Sequence, residues 1–233
     1  MATQAQINNF IAKIAPIAIR QAKKHNNRVF PSVCIGQACH ESGYGTSKKM
    51  VNANAVFGIK VGKSAYHFGK AWKGAGYKTG TTEYYDGVNP TKITDYFRAY
   101  DNIEDAVEDY FDMLCHCQRY KGALNQPSPE ACIKGIVSGG YATGPQYAEH
   151  VMKIIRANHL DKYDPDAKFE YFPKYEGTGD SIINALDSMG IDSSREYRSK
   201  IYGINFTGTF RGTAQQNTSM LVLLKQGMLI KPS

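Results

Sequence analysis

Between Phe30 and Gly45 the chain reads Phe-Pro-Ser-Val-Cys-Ile-Gly-Gln-Ala-Cys-His-Glu-Ser-Gly-Tyr-Gly, a short stretch whose start and stop are both set by backbone chemistry. Pro31 suits a first helical position, where its missing N–H costs nothing, and Gly43 suits the residue just past a helix end, where left-handed backbone is needed. The spacing therefore predicts a helix over 31–42. Within it Cys34, Ala38 and Glu41 follow at intervals of four and three, so a carboxylate shares a face with small apolar side chains that should turn inward. Partial desolvation and the negative end of the helix dipole should both raise the pKa of that acid. Such a group holds its proton near neutrality and can serve as a general acid, although a lone glutamate near a helix end is more often a solvated surface residue. The Gly43-Tyr44-Gly45 that follows lets backbone or ligand approach closely.

Around this segment the pattern is mostly helical. Ile7, Phe10, Ile11, Ile14, Ile17 and Ala18 form an apolar stripe through Gln4 to Lys24, interrupted by Pro16, which is expected to kink the helix or begin a second one. From Asn52 to Tyr100 the texture changes to short runs rich in Thr, Tyr and Gly, which reads as a small antiparallel sheet with strands at Thr81–Tyr85 and Thr91–Phe97. Glu83 faces away from Thr82 and Tyr84, so it either looks into a cleft between this lobe and the helices or is an exposed strand glutamate. Helices return at Asp101, where Asp101 and Glu104 have capping-box spacing, with Ile103, Ala106, Val107, Tyr110, Phe111 and Leu114 as the inward stripe. Further helices are expected from Ser128 to Val137 and from Tyr147 onward. The fold class that follows is α+β, mainly α.

Residues 161–179 carry Asp164-Pro165, Pro173 and Gly177-Thr178-Gly179 without periodicity and read as a linker. Residues 180–233 then show three short helical patterns, Ser181 to Met189, Ser193 to Tyr202 and Ala214 to Gln226, each followed by glycine. The chain thus divides into 1–160, a linker over 161–179, and a small helical domain over 180–233.

Composition narrows the partner more than the fold. The formal net charge of +7 over 233 residues favours an anionic partner. Lys23-Lys24 and Lys48-Lys49 are isolated pairs and no recognition-helix or aromatic RNA-binding signature accompanies them, which argues against nucleic acid. Sixteen tyrosines and ten phenylalanines offer rings that stack on sugar faces as readily as they fill cores. The start lacks a basic segment followed by an apolar run, and no run of about 18 apolar residues occurs, so synthesis in the cytoplasm without a signal peptide and without membrane insertion is expected. Five cysteines, an odd number lying in predicted helices, argue against a disulfide framework. Cys115-His116-Cys117 lacks a second ligand pair for zinc, so neither a metal nor another cofactor is expected.

The stretch Gln37-Ala-Cys-His-Glu41-Ser-Gly-Tyr-Gly45-Thr-Ser47 resembles the glutamate motif of the N-acetylglucosaminidases of glycoside hydrolase family 73. Asn54-Ala-Val-Phe57-Gly58-Ile59-Lys60, Thr82-Glu83-Tyr84, Phe97-Arg98-Ala99-Tyr100-Asp101 and Tyr141-Ala142-Thr143-Gly-Pro145-Gln-Tyr147-Ala148 resemble further motifs of that family in the same order. His40 stands where the family usually has an aliphatic residue, and Gly144 where an acidic one is common. The resemblance implies a lysozyme-like helical domain with a small β-lobe that cleaves the β-1,4 bond after N-acetylglucosamine in peptidoglycan. It makes Glu41 the proton donor, Glu83 the second carboxylate, Tyr141 and Tyr147 cleft tyrosines, and Asn54 and Phe57 sugar contacts.

The tail, through Ser181-Ile-Ile-Asn-Ala-Leu186, Gly190-Ile-Asp-Ser-Ser194, Arg198 and Gly212-Thr-Ala-Gln-Gln-Asn217, resembles a small helical wall-binding module of phage and clostridial-type wall amidases. The two resemblances imply a wall-targeted peptidoglycan hydrolase whose partners are bacterial peptidoglycan and, secondarily, anionic wall polymers. With the signal segment absent, the expectation is a phage or prophage endolysin that acts on the wall after release at lysis. A muramidase or lytic transglycosylase of the same fold, and a non-catalytic wall-binding protein, are the alternatives.

Overall fold

The computed structural model describes residues 2–62, 66–83, 89, 91–165, 170–206 and 208–232, with backbone alone at Thr82 and Glu83. Helix α1, Gln4–Lys24, opens on a capping box in which Thr3 Oγ1 accepts from Gln6 N while the Gln6 side chain accepts from Thr3 N. Pro16 lies inside this one continuous helix and does not start a second. A helical proline forfeits a hydrogen bond, but Pro16 is buried beside Ile14, Ala15 and Ala18, so packing on the apolar stripe holds the helix together across it.

Helix α2, Pro31–Ser42, is the element the core is wrapped around, with every residue from Pro31 to Cys39 buried. It packs on α1 and on the later helices α5, Pro129–Ser138, and α6, Tyr147–Ala157. A methyl group on Gly36 would stand 2.9 Å from Ile155 Cγ1 and 3.1 Å from Val151 Cγ1, so glycine is what lets α2 and α6 approach this closely. Burying each of Ile14, Ile35, Ile133 and Ile136 contributes about 1.5–3 kcal/mol to this core.

A short helix α3, Lys48–Ala53, leads to the two-stranded antiparallel sheet of β1, Gly76–Glu83, and β2, Thr91–Arg98, in a register running from Gly76 opposite Arg98 to Glu83 opposite Thr91. Strand β1 begins five residues before the expected Thr81, because Gly-Tyr-Lys-Thr-Gly carries no apolar alternation by which to recognise it. The expected strand residues Tyr84 and Tyr85 lie outside the described residues. On the other edge of β2, Val61 N donates to Tyr96 O and Arg98 N to Ile59 O, so the segment after α3 is stitched to the lobe.

The lobe is pinned to helix α4, Ile103–His116, through Arg98. Its guanidinium is sandwiched between the rings of Phe68 and Trp72, at 4.3 and 4.1 Å, and donates to both oxygens of Asp109 at 3.2 and 3.1 Å. Tyr100 also donates to Asp109, at 2.7 Å. The cap of α4 is Asn102, whose Oδ1 accepts from Asp105 N at 2.9 Å, and not Asp101 as the Asp101–Glu104 spacing suggests. Asp101 instead pairs with Lys73, which leaves the equally competent Asn102 to cap the helix one residue on.

Helices α7, Ile182–Ser188, α8, Arg195–Asn205, and α9, Ala214–Lys225, enclose a second core of Ile182, Leu186, Ile201, Tyr202, Leu223, Leu224 and Leu229. Helix α8 runs past Gly203, which keeps ordinary helical backbone, and ends where the Asn205 side chain bonds Ile230 N and O. The aperiodic segment ahead of α7 is not bare chain. Phe172 N donates to Leu229 O, Tyr175 N to Leu224 O, and Lys231 N to Glu170 O, so residues 170–175 run alongside the C-terminal segment.

The small core also reaches α1. Ala12 belongs to it, Asn8 donates to Tyr202 Oη at 2.6 Å, and Ser219 donates to Asn9. Buried Lys162 donates to the carbonyls of Ile204 and Asn205 at the end of α8. Among the described residues no helix is long and apolar enough to cross a membrane.

Candidate active site

Helix α2 ends at Ser42 with Gly43 in left-handed backbone, φ 57°, which turns the chain away and leaves Glu41 at the lip of a cleft of about 610 Å³. The cleft wall includes His40, Glu41, Lys49, Phe57, Gly58, Thr81, Arg119, Tyr141 and Tyr147. Among the described residues that line it, Glu41 is the one acid.

Glu41 Oε1 accepts from Tyr147 Oη at 2.7 Å. That phenol oxygen accepts in turn from Gln37 Nε2 at 2.9 Å, and Gln37 Oε1 accepts from Tyr110 Oη at 2.5 Å. Gln37 and Tyr110 are fully buried, so the amide has no competing partner from water and its orientation commits the Tyr147 proton to Glu41. Gln37 precedes Glu41 by four residues, which places both on the same face of α2. This spacing is the signal by which the sequence could have exposed the relay.

The second oxygen, Oε2, lies against Gly58. A methyl group on Gly58 would sit 3.6 Å from Glu41 Oε2 and 3.0 Å from Lys49 Nζ, and the residue holds φ +61°, so only glycine leaves the space open. Burial raises the Glu41 pKa above the ordinary carboxylate value, and the Tyr147 hydrogen bond and the Lys49 charge pull the other way without overcoming it. Burial and the adjoining Glu41 also push the Tyr147 phenol well up, so it remains a donor. His40 is pushed down, first by burial and then by His150, and its ring meets Tyr147 edge-on at 5.1 Å.

Of the residues singled out in the sequence, Glu41, Phe57, Tyr141 and Tyr147 meet in this cleft. Tyr141 Oη donates to Phe57 O at 2.9 Å, tying the wall that precedes α6 to the wall that follows α3. The Phe57 ring itself is buried and stacks on Tyr110 at 4.1 Å, so its side chain belongs to the core and its backbone to the wall. Asn54 is not among the wall residues; its amide donates to the carbonyls of Tyr100 and Asp101 at 3.0 and 3.2 Å, closing the end of α3 onto the lobe. Glu83 ends β1, two positions after the wall residue Thr81, and its side chain lies outside the described residues. His40 and Gly144, the two departures from the motif pattern, both line the cleft.

Arg119 was not anticipated. Its guanidinium donates to the carbonyls of Gly139 and Gly140, at 3.1 Å for the latter, and so holds the turn that delivers Tyr141.

The cleft, its glutamate and both tyrosines fall within residues 15–160, which match the model of the glucosaminidase family, described as mannosyl-glycoprotein endo-β-N-acetylglucosaminidase. The peptidoglycan hydrolase FlgJ of Vibrio parahaemolyticus is 36% identical over 151 residues, covering 63% of this chain and 46% of that protein. The exo-glucosaminidase LytG of Bacillus subtilis is 29% identical over 141 residues, covering 58% and 46%. The chain thus spans about half the length of these curated relatives. A crystal structure of a peptidoglycan hydrolase mutant from Sphingomonas sp. A1 superposes with a TM-score of 0.57 at 29% identity, over 67% of this chain and 97% of that one. With α2 and its acid, the two-stranded lobe and helices α4 to α6 all inside the matched segment, the chain belongs to the glucosaminidase family.

Proposed function

We propose that the chain hydrolyses peptidoglycan at the β-1,4 bond that follows N-acetylglucosamine, with Glu41 as the proton donor. The observation that carries this reading is the Glu41 carboxyl, the one acid among the described residues of the cleft wall, whose pKa burial raises while Tyr147 fixes one of its oxygens. Because Oε1 accepts from Tyr147, the acidic proton resides on Oε2, the oxygen beside Gly58, and from there passes to the glycosidic oxygen as the bond breaks. Cleavage leaves positive charge on the ring carbon and oxygen of the sugar, and water adds to that carbon and gives up a proton to complete the hydrolysis. The second carboxylate we assign is Glu83, two positions along β1 from Thr81 in the cleft wall, either to activate that water or to stabilise the charge until it arrives. The names of FlgJ as a peptidoglycan hydrolase and of LytG as an exo-glucosaminidase support the substrate and the sugar.

The helices of 180–233 are proposed to bind the wall. A groove beside them, lined by Phe172, Met189, Ile191, Asp192, Tyr197 and Lys231, offers the Tyr197 ring and both charges to a polymer. Wall attachment would raise the local concentration of glycan at the cleft without adding a catalytic contact.

Product analysis on purified peptidoglycan tests the reaction. New reducing-end N-acetylglucosamine is expected. Reducing-end N-acetylmuramic acid would establish a muramidase, an anhydro product a transglycosylase, and no product a binding protein.

A further inference from the structure

Lys49 is the cleft cation that the proposed chemistry leaves without a task. It sits on α3 with Nζ 4.3 Å from the centroid of Phe97, so the β-lobe holds the ammonium by its ring face. Among the described residues it is in ion-pair contact with no acid, whereas the neighbouring wall lysine, Lys60, is paired with Asp95 at 3.0 Å. The other strong cation of the wall, Arg119, is committed to the carbonyls of Gly139 and Gly140. Lys49 Nζ and Glu41 Oε2 border the same space over Gly58, 3.0 and 3.6 Å from where a side chain there would begin, so the ammonium is a near neighbour of the oxygen that delivers the proton.

An ammonium so close to a general acid opposes that acid's task, since its field favours the carboxylate. Its place in the cleft is understandable if the substrate brings a negative charge to it. We propose that Lys49 is the subsite for a carboxylate carried by the glycan strand next to the bond that is cleaved, a proposal that rests on the glycosidase reading above. In a peptidoglycan strand such carboxylates belong to the lactyl group or the peptide stem. A strand of N-acetylglucosamine alone has none. Pairing would hold the strand in register and, by neutralising Lys49, remove its pull on the proton of Glu41. Binding an anionic strand would thereby favour the protonated acid.

The test uses the full chain and three soluble substrates: peptidoglycan strands with free carboxylates, the same strands with those carboxylates converted to amides, and N-acetylglucosamine oligomers. Wild type is expected to show a kcat/KM about tenfold higher on the free-carboxylate strands than on the amidated ones, mainly through KM, the size of one charge-assisted contact. Lys49→Met is expected to bring that ratio to about one, and Lys49→Arg to restore most of it. A wild-type enzyme that cleaves both strands equally would overturn the proposal, and so would a Lys49→Met variant that keeps the tenfold ratio. Inorganic phosphate at millimolar concentration separates strand carboxylates from a general anion site: competition limited to the carboxylate-bearing strand supports the subsite, and equal inhibition of all three substrates overturns it. If wild type cleaves none of the substrates, the glycosidase reading itself falls.

Discussion

Tyr147 Oη donates to Glu41 Oε1 at 2.7 Å while accepting from the amide of Gln37 at 2.9 Å, so the cleft acid is the end of a one-way chain of donors that begins at buried Tyr110. The direction matters. Reversing any link would leave a buried donor or acceptor unpaired, which costs about 1–3 kcal/mol, so the acid meets the substrate with one oxygen occupied and one available.

Glu41→Gln keeps the size of the side chain and removes the proton. Hydrolysis of purified walls is expected to fall by at least about 100-fold. Stability is expected to move the other way. Because burial raises the folded-state pKa above the unfolded value, the folded chain binds the proton more tightly, and stability falls as pH climbs from the unfolded pKa through the folded one. The glutamine variant lacks that fall, so melting curves at pH 4 and pH 8 should converge on wild type in acid and lie above it at pH 8.

Tyr147→Phe removes a hydrogen bond that lowers the Glu41 pKa, so the alkaline limb of the pH–rate profile is expected to move to higher pH. The change also strands the Gln37 amide hydrogen in the core, at a cost of about 1–3 kcal/mol in urea unfolding. Tyr110→Phe, two links away, should shift the profile less while costing comparable stability. Equal shifts for both would show that the relay carries no directional information.

Asp109→Ala is expected to destabilise the fold by about 3–5 kcal/mol, because it leaves Arg98 buried between Phe68 and Trp72 with no carboxylate. Phe68 lines the cleft, so KM should rise in the same variant at temperatures where it remains folded. Urea titration and steady-state kinetics on soluble strands separate the two effects.

The helix of Glu41 was legible because proline and glycine mark both its ends, and the helical core because its apolar stripes repeat at helical spacing. The first half of β1 was not, since Gly76 to Gly80 shows neither alternation nor β-branched enrichment except Thr79. The cap of α4 was misplaced by one residue because Asp101 and Asn102 are both competent caps, and only the pairing of Asp101 with Lys73 distinguishes them. In the site, Glu41, Tyr141 and Tyr147 could be picked out by motif, whereas the roles of Asn54 and Phe57 turn on contacts far apart in sequence. Asn54 reaches across to the Tyr100 carbonyl and Phe57 stacks on Tyr110. Lys49 gave no signal at all, since a lysine on a short helix looks solvated until Phe97 and Gly58 are brought beside it.

Lys162 joins the two cores and supplies a pH signature for that junction. Its amine is buried and donates to the Ile204 and Asn205 carbonyls, and burial lowers its pKa from the ordinary 10.5 to about 7, with Asp161 opposing the shift. Between those two values the unfolded chain carries a proton that the folded chain does not. Folding stability therefore gains with rising pH from about 7 to 10.5, while the neutral amine still has hydrogens for both carbonyls. The buried thiols act oppositely at the alkaline end, Cys132 being pushed by burial up to about 12, so the comparison must be made against a variant that shares them. Lys162→Met is that variant. The stability difference between wild type and Lys162→Met, measured by urea unfolding at half-unit steps from pH 6 to 10, is expected to change in favour of wild type as pH rises. A difference that stays flat across this range would mean that Lys162 keeps its charge in the folded chain.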